Sequence, residues 1–368
     1  MFKIYQPVEI IFGENESKNI GKVLTSKGYE RAFLLCDAFL EKNGLAKQIA
    51  DASDGRIVGI SGDIEPDPTI QNINNNKELV ENAKADVLVA LGGGSTMDCA
   101  KSVAVAVANN LTGEQLLNGA TYTKALPMIF LPTTAGTGSE VTSAAGITDK
   151  INDKKGGIMS PLLYAKTAIV DPCLTYTCPK RSSVISGLDA LAHSLDVLTS
   201  SRLNPYTEGL ATKAAKLIFS NLESAAKNND PESRRNMSQA SLLAGLAISQ
   251  IGTSASHACA PVLSAHYHIP HGEACAFTLP SWVRLAAKKD PYINQLAQNI
   301  GFQDAEELAS QIDNLKDEFE LRTTLTEIGG SEDDIDVIAQ ESFESRNMRV
   351  SAANPTIDEV KALYQKLL

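Results

Sequence analysis

The sequence predicts an α/β N-terminal domain built on a doubly wound parallel sheet, residues 1–178, followed by an all-α C-terminal domain, residues 179–368. Three observations carry that prediction. Short apolar runs alternate with amphipathic stretches as far as about residue 175, which is the βαβα order of a parallel sheet. One such run, 86–91, is apolar almost throughout, as a strand covered on both faces should be. Beyond Pro179 strand-like alternation nearly vanishes and apolar residues recur at helical spacing.

Taken in order, residues 8–12 read as a strand closed by Gly13, 17–27 as a helix, and 32–36 as a compact strand ending at Asp37. Residues 38–52 read as one helix and 57–60 as a strand, and Glu65-Pro66-Asp67-Pro68 is a turn opening a helix over 69–82. After strand 86–91 comes Gly92-Gly93-Gly94-Ser95-Thr96-Met97-Asp98, which enters a helix with Ser95 and Asp98 at capping-box spacing. Glycines there let backbone N–H groups approach a phosphate, and the helix dipole favours an anion. The alternative is a tight strand–helix turn with no ligand. A second turn, Pro132-Thr133-Thr134-Ala135-Gly136-Thr137-Gly138-Ser139-Glu140, follows strand 128–131 and clusters hydroxyls and glycines. Both turns and Asp37 stand at inferred C-terminal strand ends, where open sheets of Rossmann-like type bind ligands. In dinucleotide folds an acidic group at such an end holds the adenosine ribose, although aspartates also end strands as turn formers. The last strand of this half is 166–170, before Asp171-Pro172; in the second half 181–199, 205–226 and 234–251 read as long helices.

All five histidines, His193, His257, His266, His268 and His271, fall in the second half. Asp189 and His193 are four apart, so on a helix they share one face and can grip one ion. His257 and His271 would lie about 21 Å apart on one straight helix. Joint ligation therefore demands a turn, for which Pro261, Pro270 and Gly272 are available. One carboxylate and three imidazoles suit a divalent first-row metal; the alternative is that these histidines fill helix contacts and a polar turn. The active site is expected in a cleft between the two domains.

Composition narrows the class. With 43% hydrophobic and 21% charged residues the chain reads as globular, and a net charge of −11 argues against general affinity for nucleic acid or anionic membrane. No apolar run approaches the ~20 residues of a membrane span. Six cysteines without a CxxC pair, and an N-terminus without a signal-peptide core, point to a cytoplasmic enzyme with reduced thiols.

Together these motifs resemble the iron-containing, or group III, alcohol dehydrogenase family, within the dehydroquinate synthase-like fold. The most specific elements are Gly92-Gly93-Gly94-Ser95-x-x-Asp98-x-x-Lys101, the 132–140 turn, Asp189-Ala190-Leu191-Ala192-His193 and His271-Gly272. The resemblance implies Asp189, His193, His257 and His271 as ligands of Fe(II), with Zn(II) the alternative ion. It implies NAD as cofactor, with Asp37 at the adenosine ribose, Gly93, Gly94, Ser95 and Asp98 along the pyrophosphate, and Thr133, Thr134, Thr137, Ser139 and Thr142 along the rest. Lys155, or Lys154 one register earlier, falls near the nicotinamide ribose. The implied reaction is reversible hydride transfer between a small primary alcohol or aldehyde and the nicotinamide, with the ion as Lewis acid, in a homodimer or larger assembly. Three departures stand out: Pro261 where many relatives carry a further histidine, Asp67 where Asn is usual, and Thr356 where many have Arg. The first leaves the proton path open, with His268 or His266 as a possible relay. Other readings are a glycerol-type polyol dehydrogenase, a reductase of an anionic aldehyde using Lys155, Arg346 or Arg349, a dehydroquinate synthase-like lyase, and a non-catalytic nucleotide-binding protein.

Overall fold

The computed structural model describes residues 1–152 and 154–368, which divide into two compact units: Tyr5–Cys178, and Pro179–Leu368 together with Met1–Ile4. The first four residues thus group with the helical unit and not with the sheet that follows them.

The first unit runs β1 (Glu9–Phe12), α1 (Ile20–Ser26), β2 (Ala32–Leu35), α2 (Ala38–Lys42), α3 (Leu45–Asp51), β3 (Ile57–Ser61), α4 (Ile70–Asn82), β4 (Val87–Gly92), α5 (Gly94–Asn109), α6 (Gly113–Leu117), β5 (Met128–Pro132), β6 (Ala144–Asp149), β7 (Lys154–Met159) and β8 (Thr167–Val170). Six strands form one parallel sheet in the order β1-β8-β5-β4-β2-β3. β2, β4, β5 and β8 are buried along their whole length, which is why their sequences are unbroken apolar runs. The chain steps outward from β2 to β3 and then returns to the other side of β2 as β4. The strand order therefore reverses between β2 and β4, and their carboxyl ends frame the crevice where such sheets bind ligands. Leu35 pairs with Ala90, so Asp37 ends its strand level with Gly92.

Two features of this unit differ from the sequence reading. The single helix over 38–52 is two helices, because Gly44 adopts a left-handed conformation (φ 84°) that breaks the ladder. β6 and β7 form an antiparallel hairpin that no alternation announced.

The second unit is helical: α7 (Lys180–Leu198), α8 (Pro205–Lys227), α9 (Pro231–Ile251), α10 (Ala255–Tyr267), α11 (His271–Lys289), α12 (Tyr292–Ile300), α13 (Ala305–Glu318), α14 (Ile335–Glu344) and α15 (Ile357–Gln365). α7 is buried along most of its length, with Asp189, His193 and Asp196 inside it. Pro261 lies within α10 and does not turn the chain. The turn is made after it, by His268 in the left-handed region (φ 53°) and Pro270 ahead of α11. Among the described residues no helix is long and apolar enough to cross a membrane.

Candidate functional site

In the sheet unit the two glycine-rich turns are stacked on one another. The Thr133 N–H donates to the Gly92 carbonyl at 3.0 Å, joining the ends of β5 and β4. A Cβ on Gly93 would stand 3.1 Å from Thr134 Oγ1, and one on Gly94 only 2.7 Å from Thr137 Cγ2. The glycines are thus required by the approach of the threonine turn, in addition to any ligand they admit. α5 begins at Gly94 with Gly93 as its N-cap and no side-chain cap, so its first amides and the positive end of its dipole are offered outward.

The capping box expected from Ser95 and Asp98 does not form. Ser95 Oγ instead accepts the N–H of Asp67 at 3.1 Å. Asp98 reaches sideways: Oδ1 accepts from Ser139 Oγ at 2.9 Å and Oδ2 from the Gly146 N–H at 2.8 Å. Beside it lies fully buried Lys101, whose Nζ donates to Ser139 Oγ (2.7 Å), Thr142 Oγ1 (3.2 Å) and the Ala144 carbonyl (2.9 Å). Three acceptors use all three ammonium protons. Burial nevertheless lowers the Lys101 pKa to about 8, and burial raises that of neighbouring Glu140 to about 7. The sequence reading quoted Lys101 without a role; its place three residues after Asp98 was the available signal. Asp37 caps α2, its Oδ1 accepting the Leu40 N–H at 2.9 Å. Lys155 lies exposed on β7 and pairs with Asp67 at 2.7 Å. The aspartate that departs from the family pattern is thus matched by a cation.

In the helical unit four of the expected residues converge. Asp189 Oδ1 has His257 Nε2 at 3.5 Å, and His193 Nε2 and His271 Nε2 each at 3.9 Å. The rings of His193 and His257 stack at 4.5 Å, and His271 meets His257 edge-on at 5.5 Å. Ligands about 2.1 Å from one ion stand about 3.4 Å apart at tetrahedral angles, so contraction by a few tenths of an ångström would close the cluster on a cation. Asp189 Oδ1 and His257 Nε2 are buried without a hydrogen-bond partner, an arrangement that costs stability unless something fills it. A divalent ion would bond to both atoms, so the residues fit one. His271, with its side chain 47% exposed, opens the cluster on one side.

Electrostatics separate the four residues. Burial works to raise the Asp189 pKa, but His193, His257 and His271 outweigh it and hold the carboxyl well below its usual range. Burial lowers the His193 pKa to about 4, keeping its ring neutral with a lone pair to donate. Neighbouring Cys275 raises that of His271 to about 9. Burial works to lower that of His257, but Cys275, Asp189 and Asp196 outweigh it and hold the ring well above its usual range, so these two rings must each release a proton as an ion enters.

Two supporting residues, Asp196 and Cys275, escaped the sequence reading, and Gly272, offered there as a turn residue, lies inside α11 instead. Asp196, seven residues beyond Asp189 on α7, accepts from His257 Nδ1 at 2.9 Å and from the backbone N–H groups of Ser254 (2.8 Å) and Ser256 (3.2 Å). It caps the start of α10 and fixes the tautomer that turns His257 Nε2 toward Asp189. Gly272 lets α11 lie against α7: a Cβ there would stand 2.3 Å from the Ile185 carbonyl oxygen. Cys275, one turn after His271, brings its Sγ to 3.6 Å from His271 Nε2. By contrast His268 is the exposed C-cap of α10, and His266 pairs with Glu341 at 2.9 Å.

Comparison with known proteins gives the family of the chain. Residues 7–172 match the family model described as iron-containing alcohol dehydrogenase, and residues 183–368 match the C-terminal domain model of the Fe-containing alcohol dehydrogenase family. Alcohol dehydrogenase 4 of Schizosaccharomyces pombe is 29% identical over 99% of this chain and 88% of its own. Long-chain-alcohol dehydrogenase 1 of Geobacillus thermodenitrificans is 30% identical over 92% and 89%. Among solved structures, sulfoacetaldehyde reductase from Bifidobacterium kashiwanohense in complex with NAD+ superposes with a TM-score of 0.95 at 32% identity, covering 100% of this chain and 98% of that one.

Proposed function

Because the chain belongs to the iron-containing alcohol dehydrogenase family, we propose that it interconverts a small primary alcohol and its aldehyde with NAD, using a divalent ion held by Asp189, His193, His257 and His271. The observation that carries this assignment is the partnerless Asp189 Oδ1 with three imidazole nitrogens at 3.5–3.9 Å around it. When bound, the ion supplies Lewis-acid polarisation of the substrate oxygen and the nicotinamide carries the hydride. The residues of the chain do the rest. Asp189 offsets part of the ion's charge, neutral His193 donates a lone pair, and Asp196 keeps His257 in its donating tautomer. In the sheet unit, the uncapped start of α5 at Gly93, Gly94 and Ser95 receives the pyrophosphate. Asp37 receives the ribose hydroxyls and repels a 2′-phosphate. Thr133, Thr134, Thr137, Ser139 and Thr142 line the remainder, with Asp98 and Lys101 holding Ser139 in place, and Lys155 flanks them. A cytoplasmic homodimer or larger assembly belongs to the same proposal.

Anaerobic metal analysis paired with an NADH-linked assay tests it. Asp189→Ala and His257→Ala should each lose the bound ion and turnover while keeping their helical content. Wild-type turnover in both variants would sink the ligand assignment.

A second substrate reading, reduction of an aldehyde bearing an anionic group, is favoured by the similarity to sulfoacetaldehyde reductase. A panel of neutral and anionic aldehydes decides between the two readings through the ratio of their kcat/KM values.

A further inference from the structure

Cys275 faces the same point in space as the ligands. It sits four residues after His271 on α11, so the two side chains share one helix face. Its sulfur, a carboxylate oxygen of Asp189 and a ring nitrogen each of His257 and His271 all lie within 4.8 Å of one another. A sulfur at about 2.3 Å and a nitrogen at about 2.1 Å from one tetrahedral ion are about 3.6 Å apart. The observed Sγ–Nε2 separation between Cys275 and His271 is 3.6 Å. Cys275 is fully buried, and the cluster it joins holds two buried polar atoms with no hydrogen-bond partner, Asp189 Oδ1 and His257 Nε2.

We propose that Cys275 is a metal ligand, giving the helical unit a second four-donor set, Asp189, His257, His271 and Cys275, for a thiophilic divalent cation. The set shares three residues with the one proposed above, and the inference rests on their being ligands. The fourth place is contested between the imidazole of His193 and the sulfur of Cys275. A thiolate favours Zn(II) and Co(II), whereas imidazole serves iron as well. Binding replaces the S–H bond by a sulfur–metal bond and releases one proton to solvent, with no change in oxidation state. The fourth donor thus depends on the ion: His193 for iron, Cys275 for zinc.

The test is to strip the whole chain with a chelator and reload it with Co(II), recording the near-ultraviolet spectrum and the bound metal together. Wild type should bind Co(II) and show a thiolate-to-cobalt charge-transfer band. Cys275→Ser should still bind Co(II) without the band, and His193→Ala should keep it. With equal Zn(II) and Fe(II) supplied anaerobically, Cys275→Ser should lower the bound zinc-to-iron ratio by about tenfold or more. Co(II) bound to wild type with no such band, the band persisting in Cys275→Ser, or its loss from Co(II)-loaded His193→Ala would each overturn the sulfur set while leaving the ligand assignment of Asp189, His257 and His271 standing. Wild-type protein that binds no Co(II) would overturn both. Helical content, measured on the same samples, separates ligand loss from misfolding.

Discussion

Replacing Gly272 by alanine tests whether the spacing of two helices sets the metal centre. The added Cβ would stand 2.3 Å from the Ile185 carbonyl oxygen and 3.0 Å from Asp189 Cβ, both on α7. Ordinary contact begins at 3.4 Å, so α11 must back away from α7 by roughly 1 Å. His271 is the adjoining residue and moves with it, whereas metal–ligand distances tolerate only about 0.2 Å. Two effects follow and are separable. Overpacking should lower the stability of the metal-free protein by about 1–3 kcal/mol. Displacing one ligand should weaken metal affinity by about 10–100-fold, so the extra stability gained on adding metal falls by about 1.4–2.7 kcal/mol at saturating ion. The assay is unfolding of wild type and Gly272→Ala with and without saturating Zn(II), alongside equilibrium metal binding. A variant that melts earlier but keeps the full metal-dependent increment would refute the reasoning, leaving Gly272 a packing residue only.

Two further predictions concern the sheet unit. Asp37→Ser keeps the oxygen that caps α2 but removes the charge; the NAD-to-NADP ratio of kcat/KM should fall by about 10–100-fold, measured by initial rates with both cofactors. Glu140 has a folded pKa of about 7 against an ordinary 4.5 because burial disfavours its charge. The folded state therefore holds a proton that the unfolded state releases, so this contribution is complete below pH 4.5 and is lost as pH rises to 7. At 1.36 kcal/mol per unit the loss is about 3 kcal/mol. From urea unfolding, wild type should lose stability relative to Glu140→Gln by that order between pH 4.5 and 7.5; a difference independent of pH would count against it.

How much of this was legible in the sequence depends on how local each signal is. The buried strands read clearly because covering both faces demands unbroken apolar runs, as in β4. Asp189 and His193 read clearly because four residues make one helical turn. The β6–β7 hairpin did not, because Lys154, Lys155, Gly156 and Gly157 are exposed and carry no period-two pattern. Pro261 suggested a turn, yet it sits inside α10, and the bend falls on His268, whose left-handed conformation nothing in the local pattern marks. Ser95 and Asp98 had the spacing of a cap but found stronger partners far along the chain, in Asp67, Ser139 and Gly146. Spacing proposes such pairs, and tertiary contacts choose among them.

The helical centre shows how those contacts act together. α7 serves as the ruler, placing Asp189, His193 and Asp196 at successive turns of one buried helix. α10 is registered against it by Asp196, which caps its first amides and orients His257 with the same carboxylate. α11 is registered twice, by the close approach at Gly272 and by buried Glu273, which Arg181 at the start of α7 and Arg322 both bind through charge-assisted contacts of 2.8–2.9 Å. His257 is therefore held by a bond that does not involve the ion, and the helices carrying the other ligands are registered by contacts that do not involve it either. Such a site loses little side-chain freedom when the ion enters, so more of the binding free energy appears as affinity. The order left behind on metal removal is the consequence that matters: the stripped protein should keep its helices and rebind its ion rapidly, because the frame that gathers the donors is made by carboxylates and a glycine that never touch the metal.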